Sequence, residues 1–335
     1  MREQYDYSLK EHNTFGIEAR CRRFVEYASD DEACEVARQL SEPFLIIGGG
    51  SNLLLTGDYG GTVVRSAIGG MEVVARQGDT LLVRVGSGED WDATVGRFVA
   101  NGWHGAENLS LIPGDVGASA VQNIGAYGAE ACDLIERVEA VRTGDGERVV
   151  IEAGECGYGY RQSRFKQEWR NRYLITHVVY RLSRTFTPRL DYGNIRAELE
   201  RRGIAQPTAA QLREVIIDIR RAKLPDPKVE GNAGSFFMNP VVSRAKFEAL
   251  QAQYPQMPHY YIDEAHEKIP AGWMIEQCGW KGRTVGRAGV HDKQALVLVN
   301  RGGATGQEIV SLCEAIRHDV RDRFGIEICP EVNIV

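Results

Sequence analysis

The stretch Phe44-Leu45-Ile46-Ile47-Gly48-Gly49-Gly50-Ser51-Asn52 decides how this chain is read. The apolar run after Pro43 predicts a buried strand over Pro43 to Ile47, and the glycines that follow expose backbone N–H groups able to hold a phosphate or pyrophosphate. A plain tight turn is the alternative. The fingerprint Gly-x-Gly-x-x-Gly is met only as Gly48-x-Gly50-x-x-Leu53, and Leu53-Leu54-Leu55 continues as strand. Without the third glycine, which lets a helix pack closely on the strand, a Rossmann domain is not expected.

Outward from this turn the elements alternate in type. Asp30 is placed to cap a helix with Ala33, Val36, Ala37 and Leu40 on one stripe. Strands at Thr62 to Arg65 and Leu81 to Val85 precede a helix presenting Trp91, Val95, Phe98 and Val99, closed by Asn101-Gly102. Leu134 to Leu182 reads mostly as strand, strongest over Tyr173 to Leu182, and one lobe should end near Arg184 to Arg189. A helix from about Thr208 to Lys223, apolar at Leu212, Val215, Ile216 and Ile219, is stopped by Leu224-Pro225-Asp226-Pro227, where a domain boundary is expected. The last helix carries a capping box, Thr305-x-x-Glu308, and ends at Gly325. A strand over Ile326 to Val335 would place Ile326, Ile328, Val332 and Ile334 on one face and Glu327, Cys329, Glu331 and Asn333 on the other. The pattern is α+β.

The 335 residues are 43% hydrophobic and 26% charged, which excludes disordered, collagenous and coiled-coil classes and suffices for two or three lobes. Forty basic against 46 acidic residues give a net charge of −6, so no broad positive field favours nucleic acid or anionic lipid. The start lacks a signal-peptide pattern and no run approaches the roughly 18 apolar residues of a membrane span, so a cytoplasmic location is expected. Seven scattered cysteines without Cys-x-x-Cys, and seven histidines without ligand spacing, argue against a disulfide framework and against a metal site.

Three further segments carry candidate chemistry. Leu111-Ile-Pro113-Gly114-Asp-Val-Gly117-Ala118-Ser119, running on to Gln122-Asn123-Ile-Gly125-Ala-Tyr127-Gly128, suits a backbone cradle around a flat polar cofactor, or else an Ω-loop packed on itself. Gly157-Tyr-Gly-Tyr160-Arg161-Gln-Ser163 offers a guanidinium flanked by aromatic rings, or a surface turn. Lys223 could simply complement a helix dipole, and only its coincidence with Gly234-Ser235 and Asn239 makes a site attractive.

Taken jointly, Asn13-Thr-Phe-Gly16, the glycine cradle, Gly159-Tyr-Arg161-x-Ser163-x-Phe165-Lys166, Lys223-Leu-Pro-Asp-Pro-Lys228, Gly231-Asn-Ala-Gly-Ser235-Phe-Phe237 and Pro330-Glu331-Val332 resemble the UDP-N-acetylenolpyruvoylglucosamine reductase family. The likeness runs in order from about residue 13 to the C-terminus. It is closest to the form with a tyrosine-containing segment, here Leu190-Asp-Tyr192-Gly-Asn, between the domains. The resemblance implies a two-lobed FAD-binding domain of the PCMH type over about 17–185, a smaller α+β substrate domain over 223–320, and a C-terminal strand, 326–335, that returns Glu331 to the active site. It also implies a peptidoglycan-synthesis enzyme, with NADPH reducing FAD and the reduced cofactor reducing the enolpyruvyl ether of UDP-N-acetylglucosamine.

By the same resemblance FAD would meet Gly48, Gly49, Gly50, Ser51 and Asn52, and Pro113, Gly114, Gly117, Ser119, Asn123, Gly125 and Tyr127. Arg161 and Glu331 would sit at the substrate carboxylate, with Ser235 as proton donor. Tyr192, Lys223, Asn239 and Gln294 would lie near the UDP-sugar. Ala118 stands where the family commonly carries a hydroxyl, and Ser119 or backbone N–H groups are expected to compensate. The side chains suit the chemistry, because charge developing on a carboxylate calls for a fixed cation such as Arg161 and for acidic hydrogens, which Glu331 offers only in its neutral form. The only expected partner is the small-molecule substrate, and a monomer is expected. A flavin oxidase of another substrate and a non-catalytic nucleotide-sugar binding protein are the competing readings.

Overall fold

Strand Arg20–Tyr27 buries Cys21, Phe24, Val25 and Tyr27 between more exposed residues, Tyr59–Ser66 buries Gly61 to Val64 in succession, and Phe44–Ile47 pairs in parallel with Tyr59–Ser66. The computed structural model describes residues 1–335. It divides into two compact units: 1–7, 21–49 and 60–222 form the first, and 8–20, 50–59 and 223–335 the second. The expected boundary before Pro225 falls at 222/223. Residues 186–222 belong with the first unit, however, and of the segments 8–20 and 50–59 that join the second, 17–20 and 50–59 come from chain that the sequence reading assigned to the cofactor domain. Such excursions cannot be read from a linear pattern, because they depend on pairings made by residues far along the chain.

In the first unit one sheet runs in the order Arg2–Ser8, Arg20–Tyr27, Tyr59–Ser66, Phe44–Ile47. A second, antiparallel sheet runs Arg148–Glu152, Ile135–Arg142, Tyr173–Ser183, Thr80–Gly86, Met71–Gln77. Tyr173–Ser183 is central and buried along most of its length, which explains why it is the most apolar strand of the sequence. Helix Trp91–Ala100 packs Trp91 and Phe98 on Tyr180, with ring centroids 5.6 and 5.9 Å apart. Helix Asp30–Gln39 is capped by Ser29, whose Oγ accepts from Glu32 N at 3.2 Å, not by Asp30. Serine just before three acidic residues is the better cap, since its short hydroxyl reaches the third N–H while the carboxylates meet the dipole. Helix Ile195–Arg201 and the first-unit part of helix Ala209–Lys223 close a satellite core of Ile195, Leu199, Leu212, Val215 and Ile216.

The second unit has an antiparallel sheet, Gly231–Ser235, Val297–Asn300, Ala288–Val290, Thr284–Val285, and a smaller one made by Val241–Ser243, His266–Lys268 and Tyr260–Asp263. Helix Gly306–Phe324 starts at the expected capping box: Thr305 Oγ accepts from Glu308 N at 3.2 Å, and the Glu308 carboxylate accepts from Thr305 N at 2.8 Å. It ends on Gly325 in the left-handed region, φ 59°. Thr305→Ala should cost about 1 kcal/mol through loss of this cap, read as a lowered urea midpoint with unchanged slope.

The C-terminus corrects one expectation. Only Asn333–Ile334 is strand, paired in parallel with Leu53–Leu54. Ile326, Ile328 and Val332 are buried as expected, but Ile334 is 40% exposed, because the two-residue pair places it at an edge without a covering layer.

Candidate active site

Gly48 and Gly49 of the Gly48–Asn52 turn belong to the first unit, and Gly50, Ser51 and Asn52 to the second. Gly48 and Gly49 leave strand Phe44–Ile47 and run against the loop before helix Val116–Gln122. A Cβ on Gly49 would lie 3.1 Å from Asp115 Oδ1 and 3.3 Å from Gly114 Cα, and one on Gly48 would lie 3.2 Å from Ala118 Cβ. Two stretches of backbone thus approach closely where side chains would hold them apart. Gly117 is equally constrained, donating its N–H to Ser87 O at 2.9 Å. The segment expected to be irregular contains this seven-residue helix, which small residues conceal from a periodicity argument.

Two predicted cofactor residues turn inward. Ser119 is 1% exposed; its hydroxyl bonds Val116 O and Tyr180 OH, both at 2.7 Å, so its polar atom is already engaged within the core. Asn123 is fully buried at φ 45°, with Nδ2 donating to Glu130 Oε2 and Gly159 O and Oδ1 accepting from Cys132 N at 3.0 Å. Its amide brackets the loop that carries Arg161. The backbone N–H groups of Gly49 and Gly50 donate to no turn, loop or cap carbonyl.

The second unit fixes the rest of the turn. Asn13 ties its own loop, donating from Nδ2 to Leu9 O and Ile17 O and accepting at Oδ1 from Ile17 N at 2.9 Å. Thr14 N then donates to Gly50 O at 3.1 Å. Gly50 has φ 68°, and a Cβ there would collide with the His12 carbonyl. Asn52 Nδ2 donates to Glu331 O at 3.3 Å, and Asn52 O accepts from Asn333 N at 3.1 Å.

In the first unit Arg161 adopts φ 55°, a left-handed conformation unusual for a non-glycine residue. Such strain persists only where surroundings enforce it. Here Arg161 Nη2 donates to Gly125 O at 2.6 Å, Lys166 Nζ donates to Arg161 O at 3.1 Å, and the guanidinium lies 5.3 Å from the Tyr160 ring centre. Tyr127, at φ 50°, accepts from Asn108 Nδ2 through its carbonyl, and burial raises its phenol pKa. Gly128 packs on Tyr192, which is itself 48% exposed.

Sequence reasoning missed Arg220. It is largely buried on helix Ala209–Lys223, donates from Nε to Leu111 O at 3.3 Å, and has its pKa lowered by burial with a further contribution from nearby Arg161. The signal was present as a basic residue one position beyond the buried Ile219, but a single arginine near a helix end reads as a dipole complement.

Ser235, Glu331, Asn239, Gln294 and Lys223 all lie in the second unit. Strand Gly231–Ser235 pairs Asn232 with Val299 and Ser235 with Val297, so one extra residue bulges out between them, with Gly234 at φ 69°. The bulge leaves Ser235 exposed at the strand end while Phe236 and Phe237 are buried. Glu331 N donates to Phe236 O at 2.8 Å and Phe237 bridges Pro330, so the backbones carrying Ser235 and Glu331 run side by side. On the other flank Phe236 N donates to Leu296 O at 2.7 Å, and Gln294 Oε1 accepts from Leu296 N at 3.2 Å. Asn239 Oδ1 accepts from Ala271 N at 2.9 Å, which fixes the start of helix Ala271–Gln277. Lys223 is exposed as the last residue of its helix.

A glycine-lined turn with unclaimed N–H groups, tight against its neighbours at Gly48 and Gly49 and closed to a Cβ at Gly50, fits the pyrophosphate of a dinucleotide. Residues 26–152 match the FAD binding domain family. Fold and site together therefore define an FAD-binding protein of two-domain α+β, PCMH-type architecture. Residues 226–335 match the C-terminal domain of UDP-N-acetylenolpyruvoylglucosamine reductase. The UDP-N-acetylenolpyruvoylglucosamine reductase of Bacteroides fragilis is 57% identical over 98% of this chain and 99% of its own, and that of Burkholderia multivorans 48% identical over 97% and 95%. The fold matches the crystal structure of the enzyme from Thermus caldophilus with a TM-score of 0.68 at 22% identity, covering 99% of this chain and 98% of that one. The chain belongs to the UDP-N-acetylenolpyruvoylglucosamine reductase family.

Proposed function

We propose that this chain reduces UDP-N-acetylglucosamine enolpyruvate to UDP-N-acetylmuramate for peptidoglycan synthesis, with FAD as resident cofactor and NADPH as reductant. The observation that carries it is the bulge at Gly234, which sets Ser235 at a strand end directly beside the backbone of Glu331. FAD, when bound, would supply two-electron chemistry that couples oxidation of NADPH to hydride reduction of the substrate alkene. Gly48 to Asn52, and Pro113, Gly114, Gly117 and Gly125, are the residues that would hold it, through backbone rather than through Ser119 or Asn123.

Arg161 supplies a permanent cation for the charge that builds on the substrate carboxylate, and its fixed fork costs no reorganisation as that charge appears. Glu331, whose backbone N–H donates to Phe236 O beside Ser235, is the second residue at that carboxylate. Ser235 Oγ delivers a proton to the carbon next to that carboxylate; a hydroxyl is a weak acid, but a carbanionic carbon is a strong enough base to take its proton. Tyr192, Lys223, Asn239 and Gln294 recognise the UDP-sugar. The reading further places the protein in the cytoplasm as a monomer acting on a small molecule. No helix is long and apolar enough to cross a membrane.

An anaerobic visible spectrum tests the whole reading. A flavin band that bleaches with NADPH and returns with the enolpyruvyl sugar supports it; return only with oxygen points to an oxidase, and no binding of FAD defeats it. Lys223→Ala should weaken substrate binding about tenfold, equivalent to about 1.4 kcal/mol, while kcat changes little, because its partner is remote from the reacting carbons. Steady-state kinetics with varied sugar nucleotide check this, and an unchanged KM would remove Lys223 from the site.

A further inference from the structure

We propose that Asp115 is a further residue of the dinucleotide site, and that it receives the cofactor as a neutral acid, so that FAD binding takes up a proton from solvent. This inference rests on the FAD reading of the Gly48–Asn52 turn. Asp115 is 8% exposed and its carboxylate borders the turn: Oδ1 lies 3.1 Å from where a Cβ on Gly49 would stand, and Oδ2 lies 3.5 Å from that of Gly48. An anion held by the N–H groups of this turn therefore has the carboxyl as a close neighbour.

The surroundings supply incomplete compensation. Arg65, from strand Tyr59–Ser66, approaches Asp115 Oδ2 only to 3.6 Å, while its Nη1 donates to Glu26 Oε2 of strand Arg20–Tyr27 at 2.9 Å. Asp115 Oδ2 and Arg65 Nε are both buried without a hydrogen-bond partner. From the segment before helix Trp91–Ala100, Asp90 bridges Asp115 through the backbone and adds negative charge, and Glu89 is engaged by Arg97 and by Gly70 N. The glycine turn brings no charged side chain. Burial is the main cause that raises the Asp115 pKa to about 6, with Asp90 adding to it and Arg65 opposing it.

A pyrophosphate beside this carboxyl adds like charge in a poorly solvated place, which raises the carboxyl pKa further in the complex than in the free protein. Linkage fixes the sign. Below about pH 6 Asp115 is already neutral and affinity for FAD is flat. Above it, binding must first protonate Asp115, and the dissociation constant rises with pH, by at most about tenfold per pH unit for one proton.

The test titrates FAD into the full chain stripped of flavin, following flavin fluorescence from pH 5.5 to 8.5. Expected is a dissociation constant at least about fivefold weaker at pH 8 than at pH 5.5, and a flat profile for Asp115→Asn. In weakly buffered solution at pH 7, the unmutated chain should take up a proton as FAD is added, a measurement that decides the matter even if the variant fails to fold. Arg65→Gln, which removes the opposing cation, should move the onset of the rise to higher pH. Normal FAD binding with no pH dependence, an equal slope in Asp115→Asn, or no proton uptake overturns the inference and leaves the FAD reading standing. No binding of FAD at any pH overturns both.

Discussion

Ser235→Ala is expected to leave reduction by NADPH at its normal rate and to slow reoxidation by the enolpyruvyl sugar by about three orders of magnitude, within the range for loss of a positioned general acid. The split follows from where Ser235 sits. It lies at the end of Gly231–Ser235, set out by the bulge at Gly234 and exposed, with buried Phe236 and Phe237 behind it anchoring the strand. Replacing the exposed hydroxyl removes the proton donor without opening a cavity in the core, so folding and flavin content should be unchanged. Stopped-flow absorbance of the two half-reactions measures this directly, and equal losses in both halves would rule out the proton-donor role.

The second large effect is expected at Gly50→Ala. Gly50 has φ 68°, which costs an alanine about 1–2 kcal/mol. Its Cβ would also collide with the His12 carbonyl, in the loop that Asn13 locks through three hydrogen bonds. Relieving the collision must shift either that loop or the turn, at about 1–3 kcal/mol more for overpacking. On the proposal that the turn's N–H groups hold the cofactor pyrophosphate, the displacement should be felt most as lost flavin, with the purified variant colourless and its thermal midpoint lowered by several degrees. Retention of the full flavin band would show that the turn does not hold the cofactor.

Much of this site is legible in the sequence because its signals are local. The missing third glycine at Leu53 excluded a Rossmann unit, and Leu53–Leu54 is indeed strand. Thr305, Glu308 and Gly325 marked the ends of the last helix, and Leu224-Pro225 marked the end of helix Ala209–Lys223, because caps and proline act on their immediate neighbours. Joint motifs pointed to the family, to which the 57% identical relative attests.

Other features became visible only when distant residues met. Ser119 and Asn123 look like cofactor ligands in a glycine-rich stretch, yet Tyr180 and Gly159 claim their polar atoms, and those partners lie 61 and 36 residues away. Asp115 carried no sequence signal, since it lies in a stretch that reads as irregular loop; in the structure it stands before helix Val116–Gln122, yet its side chain makes no capping bond. Its character comes from burial, opposed by Arg65 and reinforced by Asp90, which only the folded chain brings about. The sequence by itself determined the α+β class, the principal helix limits and the family of chemistry, all written in neighbouring residues. The tertiary structure alone decided which polar groups remain for a ligand, because a buried donor or acceptor is free only if no partner elsewhere in the chain has satisfied it.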